Sequence, residues 1–219
     1  VLEDLAFAAL KEQRKSRRWG YFFKGLMFAY LIAVFWVMMS KSDVGELPSE
    51  THTALVDIVG VIAADADANA DNIVTGIRDA FDNPSAQGLI LRLNTPGGSP
   101  VQSGIINDEI KRLQATRPEF PVYAVIQDVC ASGGYYIAVA ADEIYADKAS
   151  IVGSIGVRMD SFGFTDAIEK IGVKRRSITS GENKAFLDPF LPMKEKDLNH
   201  AHDMLNNVHQ QFINVVEEG

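Results

Sequence analysis

The chain has 219 residues, 47% of them apolar and 23% charged, enough for one large domain or two small ones with a real core. Its net charge of −8 is unevenly spread: six Lys/Arg against three Asp/Glu make residues 1–24 +3 and leave −11 for the rest, which argues against a nucleic-acid partner. The single cysteine, Cys130, excludes an internal disulfide and a Cys-rich metal site.

Residues 1–18 begin as a short amphipathic pattern and end in a basic cluster (Lys11, Arg14, Lys15, Arg17, Arg18). From Trp19 to Met39 the sequence is apolar, with Lys24 its only charge. Roughly 20 such residues cross a bilayer as a helix, and Trp19, Tyr21 and Lys24 suit its interface. Basic residues before the span and acidic ones after it (Asp43, Glu46, Glu50) place the N-terminus in the cytoplasm and the body outside it, by the positive-inside rule. An apolar run of this length without a small-residue cleavage pattern reads as a retained single-pass anchor in the inner membrane, not a cleaved signal peptide.

Residues 40–53 read as a linker. Strands and helices then alternate. A strand is predicted over 54–62, a helix over 71–81 ended by Asn83-Pro84, and a strand over 88–93. Ser99-Pro100 starts a helix reaching about Ala115, with Ile105, Ile106, Ile110 and Leu113 on its apolar stripe. Further strands are expected at 122–126, 143–146 and 173–178, and helices at 135–141, 164–171 and 193–216. Strands separated by single helices imply a parallel sheet with crossovers, an α/β domain. The start without Met and the stop at Glu217-Glu218-Gly219 read as a portion of a longer protein.

Three loops that follow strands carry residues suited to chemistry. Asn94-Thr95-Pro96-Gly97-Gly98-Ser99 leaves backbone N–H groups bare at a helix entrance, which suits an oxyanion or simply a tight turn. Ala131-Ser132-Gly133-Gly134 lies at a strand-to-helix turn, where Ser132 is either an exposed nucleophile or the cap of the next helix. The third loop, Thr179 to Lys184, presents a lysine among apolar neighbours. A lysine in water, with a pKa of about 10.4, is protonated; only desolvation makes one a base. Cys130 precedes the glycines and reads as a buried, inert thiol. His200, His202 and His209 fall on the last helix and read as surface residues, not metal ligands.

Four segments in order resemble the signal peptide peptidase A family of serine proteases, relatives of the Clp protease and crotonase fold. They are residues 91–98 (Leu-Arg-Leu-Asn-Thr-Pro-Gly-Gly), 131–136 (Ala-Ser-Gly-Gly-Tyr-Tyr), 152–157 (Val-Gly-Ser-Ile-Gly-Val) and Ser180-Gly181 with Lys184. The resemblance covers most of residues 54–216. It implies a Clp protease/crotonase-like protease domain over 54–219, continuing beyond the last residue here, and a membrane-anchored endopeptidase with a Ser–Lys dyad that degrades remnant signal peptides or similar apolar peptides. Ser132 would be the nucleophile, Lys184 the general base, Gly98 and Gly133 the oxyanion hole, and Ser154 the residue that orients the lysine. No cofactor or metal is implied. The implied partners are peptide substrates, membrane lipid around the N-terminal helix, and further copies of the chain in a ring. Many relatives carry an acidic residue directly after the lysine; here Ala185 stands there and the next acid is Asp188.

Two other readings compete. A Ser-His-Asp triad would draw on His200, His202 or His209. A crotonase-type acyl-CoA enzyme or a catalytically silent membrane scaffold would use the same fold. The exported position disfavours acyl-CoA, an intracellular metabolite.

Overall fold

The computed structural model describes residues 19–37 and 50–219; the predicted basic segment 1–18, the end of the predicted span and residues 40–49 of the predicted linker lie outside the described residues. The described residues fall into two units, a helix and a body, each taken by itself. Helix α1 (Trp19–Val37) has a mean hydropathy of 1.6, and its length and composition are those of a membrane span. Its side chains are exposed throughout, with Trp19, Phe22 and Phe23 in mutual ring contact at one end.

The body is a parallel sheet with its helices on one face. Strands β1 (His52–Val59), β2 (Ala86–Thr95), β3 (Val122–Ala131) and β4 (Glu143–Ala146) lie in that order, and β5 (Ile151–Gly153) pairs with the far end of β3. Leu89, Leu91 and Leu93 of β2 and Val122, Ala124 and Ile126 of β3 point to the buried face. Alternation along these strands is the two-residue period of a sheet with one covered side. On the other face Arg92 grips Asp57 through two bonds of 2.6 and 2.7 Å, in water.

Local chemistry sets the helix boundaries. Helix α2 (Ala70–Asp82) starts where the Asn69 side chain accepts from Asn72 N (2.9 Å) and ends before Pro84, burying Ile73, Val74, Ile77 and Phe81. Helix α3 (Pro100–Thr116) starts at Ser99 with proline in its first turn, as the sequence predicts. Its buried face differs from the predicted stripe: Ile105 is exposed, while Ser103, Asn107 and Glu109 are buried beside Ile106 and Ile110.

Glu109 is stabilised by charge. It accepts from Arg78 Nε (2.6 Å) on α2 and from Arg112 Nε and Nη2 (2.8 and 2.7 Å), tying α2 to α3. Those hydrogen bonds, Arg112's first, hold its carboxyl well down, from an ordinary 4.5 to about 2. A depressed carboxyl stabilises the fold above its unfolded pKa and loses that contribution as pH falls through the folded value. Glu109→Gln is therefore expected to cost about 1 kcal/mol at neutral pH, a small figure because both arginines sit half in water. In denaturant titrations this gap should hold down to about pH 4.5 and close between there and about pH 2; a gap unchanged at pH 2 would contradict it.

Beyond β5 the chain is less well packed. Helix α5 (Thr165–Lys170) buries no residue. The predicted strand 173–178 is absent: the segment is unpaired and Ile178 is 99% exposed. Its composition alone does not make it a strand, because no sheet edge is brought alongside it: β4 and β5 pair only with β3. Helix α6 (Glu195–Glu218) follows, buries Ala201 and Phe212, and sets the Phe212 ring against Tyr136 at 5.1 Å, tilted by 49°.

Candidate active site

The site begins with an irregularity between β2 and β3. Leu93 pairs with Ile126 but Thr95 pairs with Cys130, so β3 carries extra residues over that interval. The Asn94 side chain spans the interval, accepting from Val129 N and donating to Asp128 Oδ2, both at 3.3 Å. The bulge carries β3 on to Ala131, past the predicted end at Ile126, and delivers Ser132 at the strand's tip.

Ser132 leads into the short helix α4 (Gly133–Ala138) with φ 51° and ψ −120°, and its side chain makes no capping hydrogen bond. The capping alternative is therefore not what this serine does. A non-glycine residue with such angles is strained by about 1–3 kcal/mol and persists only where its neighbours fix it. Here the Ser132 N–H donates to Gly153 O of β5 (2.7 Å) and its carbonyl accepts from Tyr136 N (3.0 Å). Both backbone groups are clamped while the hydroxyl stays free of the fold's own bonding, as in strained strand-to-helix turns that present a nucleophile.

The Gly97-Gly98 loop lies against this turn. A Cβ on Gly97 would stand 2.7 Å from Gly133 N and 2.8 Å from Ser132 Cβ, so only glycine permits the approach. Gly98 forms an isolated parallel bridge with Ile62, in which Ile62 N donates to Gly97 O (3.0 Å) and Ser99 N to Ile62 O (2.8 Å). That pattern uses the groups on either side of Gly98 and turns its own N–H away from Ile62. The Gly133 N–H, in the first turn of α4, has no helical acceptor. Two N–H donors thus stand beside one serine.

Ser132, Gly98, Gly133 and Ser154 line one groove of about 760 Å³. Ser154 follows β5 with φ 56°, one residue beyond the carbonyl that holds Ser132. Tyr136, Val208 and Phe212 give the groove an apolar end. Sequence reasoning gave none of these three a part in the groove, because an aromatic or valine on an apolar helix stripe is indistinguishable there from packing.

Lys184 is not among the residues that line this groove; it is exposed, on the turn 182–187. His200, His202 and His209 lie on α6 and do not line it either. Cys130 is fully buried and its thiol is pushed up to about 12 by burial, which leaves it inert as a nucleophile.

Residues 114–219, from the end of α3 through α6, match the family model for peptidase family S49. Protease 4 of Haemophilus influenzae is 33% identical over 170 residues, which are 76% of this chain and 27% of that protein. The chloroplastic serine protease SPPA of Arabidopsis thaliana is 34% identical over 146 residues, 63% of this chain and 21% of that one. A Brucella melitensis protein named Na(+)/H(+) antiporter NhaA is 46% identical over 142 residues, 65% of this chain. That stretch is only 19% of the Brucella protein, and its name describes the much longer chain. Among solved structures, ClpP1 from Listeria monocytogenes aligns with a TM-score of 0.34 and 22% identity, over 40% of this chain and 46% of that one. The chain spans between 19% and 27% of the length of the three curated relatives. The Ser132 turn, β5 with Ser154, and Lys184 all fall inside residues 114–219, the stretch of this chain that matches the peptidase family S49 model.

Proposed function

We propose that this chain is the nucleophile-bearing part of a serine endopeptidase that is anchored in a membrane by α1 and cleaves apolar peptides, signal-peptide remnants among them, on the non-cytoplasmic side. The observation that carries the reading is the strained, uncapped Ser132 beside the Gly98 and Gly133 N–H groups. Lys184, in its neutral form, accepts the Ser132 proton as the oxygen attacks a peptide carbonyl. The carbonyl oxygen becomes an oxyanion held by the two N–H donors, each worth about 3–4 kcal/mol to the transition state by analogy with measured oxyanion holes. The amine leaves with the proton, and water, deprotonated by the same lysine, releases the acyl group from Ser132. Ser154, on the rim of the groove, orients the lysine on arrival.

This dyad requires the turn bearing Lys184 to reach the groove, either in its own chain or from a neighbouring copy in a ring. A catalytically silent scaffold of the same fold is the second reading, and the place of Lys184 outside the groove is what favours it. A fluorophosphonate probe separates the two. It should attach covalently to Ser132 in the full chain, mapped by peptide mass spectrometry, and fail to label chain denatured beforehand. Absence of label at Ser132 in folded protein would sink the protease reading and leave the scaffold.

A further inference from the structure

Helix α3 contributes two polar side chains to the core, one turn apart on the face that meets α4. Asn107, 1% exposed, donates from Nδ2 to Tyr136 O (2.8 Å). That carbonyl needs a partner because the end of α4 tightens, Ala140 N donating to Ile137 O (3.1 Å). Ser103 is fully buried, and its hydroxyl is a buried side-chain group with no hydrogen-bond partner among the described residues. The hydroxyl is packed against Gly133: a Cβ there would collide with Ser103 Oγ and stand 3.2 Å from Gly98 N. It therefore lies against Gly133, with Gly98 N close to the same point.

A buried hydroxyl without a partner destabilises a fold, and alanine would avoid that cost at the loss of one packed oxygen. What a hydroxyl adds is a dipole whose proton can rotate. Beneath a site where negative charge develops, in a region shielded from water, a dipole with no other claim on it turns toward that charge. We propose that Ser103 and Asn107 are positioning residues of the oxyanion hole: Asn107 fixes the far end of α4, and the free hydroxyl of Ser103 backs Gly133 and answers the charge that forms in front of it. Neither touches substrate. The inference rests on Ser132 being the nucleophile.

Ser103→Ala is the informative variant, since it removes one oxygen and creates no clash. Phosphonylation of Ser132 by a fluorophosphonate passes through the same hole and reports on it without a peptide substrate. In the full chain, Ser103→Ala is expected to slow the saturated labelling rate about tenfold, with half-saturation within about twofold and the pH profile unmoved. Its melting temperature should equal or exceed that of the wild type, so the slower rate is not a folding defect. Asn107→Asp, which faces Tyr136 O with an acceptor, should slow labelling and also lower the melting temperature. Ser103→Ala labelling at the wild-type rate would overturn this proposal while leaving the nucleophile intact. A drop accompanied by loss of stability would make Ser103 merely structural and overturn it as well. Wild-type chain that takes no label fails the protease reading itself, a different result.

Discussion

Replacing Ser132 with alanine is expected to lower peptide cleavage by about 10⁴-fold or more, to the residue that a binding groove and oxyanion donors provide without a nucleophile. The fold should not notice. The Ser132 hydroxyl makes no capping bond that alanine would lose, and alanine keeps the backbone where Gly153 O and Tyr136 N hold it. Stability within about 0.5 kcal/mol of wild type is the expected companion result. Ser132→Gly separates strain from chemistry. It is as inactive as alanine, yet more stable, because glycine occupies φ 51° without the penalty. Initial rates on an apolar peptide, with thermal unfolding of both variants, make the measurement. Cleavage by Ser132→Ala above about a tenth of wild type would place the nucleophile elsewhere.

The second large effect is at Lys184. Lys184→Ala should lower cleavage by about 10³-fold, the scale of a lost general base, and leave the melting temperature unchanged because the side chain is exposed. The turn that bears it is tied to α6, where Lys196 Nζ contacts Glu182 Oε1 at 2.8 Å. An exposed ion pair of this kind adds little stability and can be broken at small cost. Mixing inactive Ser132→Ala with inactive Lys184→Ala then tells where the base comes from. Recovery of cleavage on mixing means the lysine reaches the groove of another copy. A mixture that stays inactive means each chain supplies its own. Full cleavage by Lys184→Ala alone would dispose of the dyad.

Where the sequence dictates local bonding, it is legible. Ser99-Pro100 marks the start of α3, Pro84 limits α2, and the period-two leucines of β2 mark its buried face. The loop before Ser132 was recognisable for the same reason: Gly97 and Gly98 are demanded by close backbone approach. What escaped depends on partners distant in sequence. Residues 173–178 have the composition of a strand but run where no sheet edge pairs with them. Ile105 fits the apolar stripe of α3, yet the rotation of the helix exposes it and buries Ser103 and Asn107. The length of β3 was hidden because the bulge pinned by Asn94 interrupts its alternation. The groove wall from Val208 and Phe212 is set by how α6 docks, which no local pattern encodes.

The nucleophile and the wall in front of it rest on different parts of the fold. Sheet, bulge and clamped serine take none of their hydrogen bonds from α6. Val208 and Phe212 of that helix supply the apolar wall of the cleft. A local opening that lifts α6 from Tyr136 therefore leaves the hydroxyl held in place before an open-ended surface that grips a peptide poorly. Grip and chemistry are separable in this body, and the grip is lost first.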